Sequence, residues 1–220
     1  MKKKPAIEAL LQVMARLRSP TGCPWDREQN HQSLRRHAIE EVYELIDAIE
    51  AQDDHEMAEE LGDLLLQVVF HCQLARERGA FDFEKVTQAI VDKLIRRHPH
   101  VFGDTKVKNV DEVWANWEKI KRAEKHGTHL ERKSAFDGIP RHLPALLRAE
   151  KLIKKAHKAG LGKPAATAKR QASKTTLAAE LFELAAQAQS HGWCAEELLA
   201  SEVKKRERQW RRQETAPAKK

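Results

Sequence analysis

The chain has 220 residues, a length that allows one or two domains with a substantial core. Aromatic residues make up only 5%, there are nine Gly and eight Pro, and Ala, Leu, Glu, Lys and Arg dominate. This composition is typical of helical proteins, so a helical fold is expected rather than a β-sandwich or a β-barrel. The net charge of +7 comes from the C-terminal third, because residues 151–220 carry 16 Lys and Arg against 7 Asp and Glu, whereas residues 1–150 carry 24 against 26.

The three cysteines are Cys23, Cys72 and Cys194, and their wide spacing fits neither a zinc site nor a disulfide framework. They are expected to be free thiols in a reducing compartment. The basic N-terminus is followed by Glu8 and Gln12, which interrupt the apolar run that a signal peptide needs. No stretch approaches the roughly 20 apolar residues of a membrane span. These features predict a cytoplasmic protein.

Apolar residues at three- and four-residue spacing predict a first amphipathic helix that ends near Arg18. Residues 19–22, Ser-Pro-Thr-Gly, break this helix. The segment 23–26, Cys-Pro-Trp-Asp, is expected to form a compact turn. Trp25 in that turn could cover the core or stack on a planar ligand, and its position favours the covering role.

The next two predicted helices carry acidic residues in pairs. Glu41 and Glu44 stand three residues apart on the first of these helices, and Glu60 and Asp63 do so on the second, so each pair projects from one helix face. Asp53 has the position of an N-cap for the second helix. Acids on a single helix face are usually solvated, but four converging carboxylates repel one another unless a cation lies between them. The pattern indicates a site for a hard metal ion.

The second acidic helix is strongly apolar after Asp63, which predicts burial in a bundle or in a dimer interface. Gly62 costs about 1 kcal/mol of helix stability relative to Ala, so the close approach of another helix or of a ligand is expected there.

A further helix is predicted from Phe83 to Arg97, capped by Asp82. Lys93 and Arg97 lie four residues apart on it, a spacing that fits either a solvated basic face or cations that bind a phosphate chain. The following helix carries Trp114 and Trp117 on one face, where core packing is the usual explanation and contact with a base is the alternative.

A basic helix is predicted from Ala145 to Lys158, followed by a segment from residue 160 onward that is rich in small residues and Lys and is typical of a linker. Residues 180–185 repeat the pattern of residues 60–65, and residues 202–212 repeat the basic helix around residues 93–97. The stretch that leads into this C-terminal repeat, before Thr175, contains no counterpart of the first acidic motif, Glu40-Glu41-x-x-Glu44. The C-terminal copy is therefore expected to lack a metal site of its own.

The combined motifs resemble the MazG family of nucleoside triphosphate pyrophosphohydrolases, which belongs to the all-α NTP pyrophosphatase superfamily. The residues that carry the resemblance are Glu40-Glu41-x-x-Glu44, Glu60-x-x-Asp63, Cys23-Pro24-Trp25-Asp26 and Arg96-Arg97-His98-Pro99-His100-Val101-Phe102. It implies an all-α helical bundle domain that forms a dimer, followed here by a degenerate and incomplete second copy. The implied organisation is a pyrophosphohydrolase domain at 1–126, a connecting segment with the basic helix at 127–159, a linker at 160–176, the partial repeat at 177–214 and a tail at 215–220.

The resemblance also implies the chemistry. Mg²⁺, or Mn²⁺ in its place, supports hydrolysis of a nucleoside triphosphate to the monophosphate and pyrophosphate, which would clear non-standard nucleotides or regulate nucleotide pools. Metal ligands are implied at Glu41, Glu44, Glu60 and Asp63, with Glu40 as a residue behind these ligands or as the base. The implied substrate-binding residues are Lys93, Arg97, Trp117 and Lys121.

Two alternatives stay open at the level of sequence. The protein could bind nucleotide without hydrolysing it while its basic C-terminal segment binds nucleic acid or another protein, although no aromatic platform or recognition motif points to specific nucleic-acid binding. It could also be a related pyrophosphatase that acts on a phosphoribosyl nucleotide, which the match through Trp117 and the degenerate second copy disfavour.

Overall fold

The structure is a computed structural model that describes residues 5–128, 131, 133–161 and 173–215, apart from the side chain of Arg122. This part of the chain forms α-helices and contains no β-strand, as the composition predicts. In chain order the helices are α1 (Ala6–Leu17), α2 (Pro24–Glu28), α3 (Arg35–Ala51), α4 (Asp54–Glu77), α5 (Phe83–Arg97), α6 (Pro99–Phe102), α7 (Val110–Ala123), α8 (Ala145–Lys158), α9 (Lys174–Ser190) and α10 (Ala195–Thr215).

The chain divides into two units, Met1–Trp117 and Glu118–Lys220. In the first unit α3 and α4 form the main helix pair, with α1 packed on α4 and α5 joined to the end of α4. None of the helices in the described ranges is long and apolar enough to cross a membrane. The buried core of this unit joins α1, the start of α3 and the second half of α4, and it consists of Met14, Leu34, Val69, Phe70 and Leu74.

Capping side chains fix where the helices of the first unit begin. Asp53 accepts hydrogen bonds from the backbone N–H groups of His55 and Glu56, at 2.9 and 3.1 Å, and so caps α4. Asp82 accepts from the N–H of Lys85 at 2.9 Å and caps α5. Both caps were predicted from the sequence and are confirmed. They fix the N-termini of α4, which carries Glu60 and Asp63, and of α5, which carries Lys93 and Arg97.

The connection between α1 and α3 differs from the sequence prediction. Residues 23–26 were expected to form a turn, but Pro24–Glu28 is a short helix with Pro at its first position. Gly22 makes the tight approach to this helix possible, because a Cβ there would lie 2.0 Å from the carbonyl oxygen of Leu17. Arg18 then holds the segment in place. Its guanidinium donates to Glu77 at 2.6 and 2.7 Å and to the carbonyl oxygen of Gln29 at 3.2 Å.

The second unit is built on the packing of α8 against α10. Its core contains Phe136, Leu152, Ala156 and Val203, and the ring of Trp210 stacks on Phe136 with centroids 6.1 Å apart. The helix α8 has the bounds that the sequence predicts.

The domain boundaries implied by the resemblance stay predictions. The implied linker at 160–176 lies mostly outside the described residues, and α9 begins within it, at Lys174. The range predicted for a partial repeat, 177–214, contains most of α9 and α10, and the repeat itself stays a prediction. Of the implied tail at 215–220, only Thr215 belongs to the described residues, as the last residue of α10.

Candidate metal and nucleotide site

Three of the four predicted metal ligands converge between α3 and α4. Glu41 comes from α3, and Glu60 and Asp63 come from successive turns of α4. One carboxylate oxygen from each can be chosen so that all three lie within 4.8 Å of one another. Among the residues that the structure describes, no other group of His, Cys, Asp or Glu side chains meets this criterion.

Electrostatics show how unfavourable the cluster is without a cation. Burial raises the pKa of the Glu41 carboxyl, and the charges of Asp63 and Glu44 raise it further. Loss of hydration also raises the pKa of Glu60, with added repulsion from Glu44, Asp63 and Glu41. The fourth predicted ligand, Glu44, is therefore close enough to both groups to affect their titration, although it lies outside the group of three.

A buried oxygen of Glu60 supports a cation at this place. Glu60 Oε2 is shielded from solvent and has no hydrogen-bond partner among the described residues. A carboxylate oxygen that is neither hydrated nor hydrogen-bonded is costly, and a bound cation would remove that cost. Oxygen ligands from several carboxylates are those that Mg²⁺ and similar hard ions prefer. The residues present therefore fit a divalent metal ion.

Gln67 completes the cluster and was missed in the sequence. It is 8% exposed, lies one turn beyond Asp63 on α4, and donates from Nε2 to Glu41 Oε1 at 3.2 Å. This hydrogen bond lowers the pKa of Glu41 and so opposes the effect of burial. The spacing of residues 60, 63 and 67 could have revealed it, because all three lie on one helix face. A search restricted to charged residues overlooks an amide.

Glu40 has a different environment from the cluster. Its Oε2 lies 3.2 Å from Nδ1 of His37, one turn earlier on α3, and both side chains are largely exposed. The structure therefore places Glu40 beside the cluster, on the solvent side of α3.

Two of the predicted substrate-binding residues, Arg97 and Trp117, are in contact. The guanidinium of Arg97, at the end of α5, lies over the ring of Trp117 at 5.4 Å from its centroid. Trp114 meets Trp117 edge to face, with centroids 5.7 Å apart, and is 59% exposed, so core packing does not explain it. Lys93 is exposed one turn before Arg97. Lys121 is four residues further along α7, beyond the boundary between the two units.

Comparison with known proteins connects this geometry to a family. Residues 29–102, which contain the whole carboxylate cluster, match the model of the MazG nucleotide pyrophosphohydrolase domain. The first unit carries a MazG domain. Proteins with this domain are generally dependent on a divalent metal, in agreement with the acidic cluster.

Several relatives share more of the chain than this domain. A nucleoside triphosphate pyrophosphohydrolase of Escherichia coli K12 is 50% identical over 155 residues, which are 70% of this chain and 58% of that protein. The nucleoside triphosphate pyrophosphohydrolase/pyrophosphatase MazG of Thermotoga maritima is 49% identical over 153 residues, 70% of this chain and 57% of that protein. The chain thus matches less than two thirds of the length of these relatives. The crystal structure of a mazG-related protein from Thermotoga maritima aligns at 27% identity with a TM-score of 0.45, over 52% of this chain and 97% of that chain.

Proposed function

We propose that the protein hydrolyses nucleoside triphosphates to nucleoside monophosphate and pyrophosphate. The observation that carries this proposal is the convergence of Glu41, Glu60 and Asp63 within 4.8 Å. They do so inside a MazG domain, in a chain that is 50% identical over 155 residues to a named nucleoside triphosphate pyrophosphohydrolase. Clearance of non-standard nucleotides and regulation of nucleotide pools are the roles we propose for this reaction, and its location in the cytoplasm stays a prediction.

We propose Mg²⁺ as the ion, held by Glu41, Glu60 and Asp63 with Glu44 beside them, and Mn²⁺ as a substitute. When bound, the ion would neutralise phosphate charge and act as a Lewis acid. The chain's own groups supply the remaining requirements. Gln67 orients Glu41 through their hydrogen bond, and Glu40 is proposed as a base or as a residue behind the ligands.

Lys93 and Arg97 are proposed to bind the triphosphate and Trp117 the nucleoside, with Lys121 as a further substrate contact. Arg97→Lys keeps the charge but loses the planar contact with Trp117, so it should raise KM more than it lowers kcat.

The test of the reaction is direct. Purified protein is incubated with Mg²⁺ and a panel of nucleoside triphosphates, and the products are separated to distinguish monophosphate plus pyrophosphate from diphosphate plus phosphate. Glu41→Gln and Asp63→Asn should abolish the reaction while the protein stays folded. Glu50→Gln removes an exposed acid of α3 outside the cluster and should keep full activity. Undiminished pyrophosphate release by both cluster variants would refute the assignment, and release only from a phosphoribosyl nucleotide would favour the related pyrophosphatase.

We also propose that the first unit forms a homodimer through its apolar helix faces. The helix α5 buries no residue within the chain, and Ile90, Val91, Leu94 and Ile95 are 40–48% exposed. A Cβ at Gly62 would meet no atom within 4 Å, so the close approach expected there is not made within the unit. Four apolar side chains on one helix represent several kcal/mol of unrealised burial. A second copy that packs against this face of α5 and against Gly62 would supply the contacts that both lack.

Light scattering after size-exclusion chromatography tests the dimer. Leu94→Glu places a charge in the proposed interface and should shift the protein toward monomer, whereas Lys85→Glu, on the polar side of α5, should not. A wild-type protein that is monomeric at all concentrations would contradict the dimer.

A further inference from the structure

The second unit directs much of its acidic charge inward. Glu207 forms an ion pair with Arg148, with only 15% and 8% of the two side chains exposed, and its other oxygen lies 2.8 Å from Arg211. Glu214 accepts a hydrogen bond from the N–H of Ala135 at 2.7 Å. Glu207 is thus held inside the unit, whereas Glu214 stays exposed with one oxygen bound to the backbone.

The remaining acids of the C-terminal third lie apart from the second half of α10. Glu202 pairs with Arg206 at 2.6 Å and with Lys205 at 3.6 Å. Glu196 accepts from the N–H of Ala145 at 2.6 Å, and the others are on α9 or in the first turn of α10. Beyond Glu202, the two acids of α10 therefore each have a partner within the unit, and Glu207 is mostly buried.

Other cations of these helices are exposed. Lys204, Arg208 and Arg212 are exposed and recur every four residues on α10, on a face that does not include the buried Val203. On α8, the exposed residues Lys151, Lys154 and Lys158 form a separate row at three- and four-residue spacing. The three α10 residues are called the basic surface below. Successive charges on α10 are about 6 Å apart, close to two nucleotide steps of one strand at about 3.4 Å each.

The surroundings of these cations indicate which polyanion they suit. The basic surface includes no aromatic residue, and the one Trp of α10, Trp210, is stacked on Phe136 in the core. A base next to these three cations therefore has no ring among them to stack on, whereas phosphates on a duplex need only spaced positive charge. Such contacts carry no base information.

We propose that the basic surface binds the phosphate backbone of double-stranded nucleic acid without reading its sequence. The net charge of +9 over residues 151–220, against −2 over residues 1–150, would steer the second unit toward the duplex. This function is separate from nucleotide hydrolysis, because the three residues lie outside the MazG domain at 29–102.

The full chain is tested by fluorescence anisotropy with two labelled duplexes of about 20 base pairs and unrelated sequence, between about 50 and 200 mM salt. We expect equal affinity for the two sequences and a linear fall of log K with log salt concentration. In Lys204→Gln/Arg208→Gln/Arg212→Gln, the magnitude of that slope should fall by about 3, with a loss of affinity of about tenfold or more. Circular dichroism confirms that the variant is folded.

A matched variant removes the same charge from the first unit. Arg27→Gln/Arg78→Gln/Lys85→Gln neutralises three exposed cations there and should keep the slope of the wild type. The proposal is overturned if the wild type does not bind at about 50 mM salt, if the two triple variants lose affinity equally, or if binding is confined to vesicles of anionic lipid. Nucleotide hydrolysis, measured in parallel, should be unchanged in the α10 variant.

Discussion

Replacing Asp63 by Asn should make the metal-free protein more stable while it abolishes metal binding. Asp63 lies within 4.8 Å of oxygens of Glu41 and Glu60, and its charge raises the pKa of Glu41. At 4.8 Å in a water-like dielectric, the repulsion between Asp63 and Glu41 is about 0.9 kcal/mol, and salt reduces it. We therefore expect Asp63→Asn to stabilise the metal-free chain by up to about 1 kcal/mol, or about 2–4 °C in Tm.

The sign of the pH dependence follows from the same repulsion. The pKa of Glu41 in the folded chain lies above its ordinary value of 4.5, so the ionised carboxyl is disfavoured by folding. The destabilisation is absent below about pH 4.5 and develops as the pH rises through the raised pKa. The stabilising effect of Asp63→Asn should accordingly be larger at pH 8 than at pH 4.

Thermal unfolding with chelator and with added Mg²⁺ provides the assay. Wild-type protein should gain about 2.7 kcal/mol when Mg²⁺ is at a hundredfold excess over its Kd, whereas Asp63→Asn should gain far less. Glu50→Gln serves as the control and should respond to Mg²⁺ as the wild type does. If Asp63→Asn lowers the stability of the metal-free protein at pH 8, or still gains the full increment from Mg²⁺, the repulsive cluster is not the ion site.

Three further outcomes are expected. Gln67→Leu removes the hydrogen bond that lowers the pKa of Glu41, so the acid limb of the pH–kcat/KM profile should move to higher pH; an unchanged profile would contradict this role. Arg148→Met leaves the mostly buried Glu207 with Arg211 but without its second guanidinium, so it should destabilise the second unit in chemical denaturation by less than the about 3–5 kcal/mol of a fully unpaired buried charge, whereas Arg148→Met/Glu207→Met should recover most of the loss. Gly22→Ala forces a Cβ against a backbone carbonyl of α1 and should lower Tm, while Gly127→Ser, which meets no atom within 4 Å and carries only the strain of a φ of 71°, should cost less.

The helices of the first unit could be read from the sequence because local signals determine them. Asp53 and Asp82 cap α4 and α5 as predicted, and α5 ends at Arg97, just before the residue that precedes Pro99. The short helix α2 was not foreseen, because five residues carry too little periodicity to separate a helical turn from another turn. Its position depends on Arg18, a contact between distant segments that no local pattern contains.

The carboxylate cluster was predicted only in part because spacing gives a helix face but not its depth. Glu41, Glu60 and Asp63 converge as expected, since two helices paired along their length bring their acidic turns together. Glu44 was predicted to be a metal ligand like the other three acids, yet it lies outside the group of three. Gln67 was absent from the prediction. Which side chains join the carboxylate cluster depends on how α3 and α4 are rotated about their axes, and tertiary packing decides that rotation.

The repulsion that destabilises the carboxylate cluster also makes it suited to bind a cation. Burial and mutual repulsion raise the pKa of Glu41 and Glu60, and Glu60 Oε2 is left without a hydrogen-bond partner among the described residues. A site that served only stability would pair these oxygens with Arg or Lys, as Arg18 pairs with Glu77 at the other end of α4. Gln67 instead offers Glu41 a neutral donor, which fixes its orientation without cancelling its charge. The negative charge is thereby kept available for a cation, and the folded chain bears the repulsion until one binds.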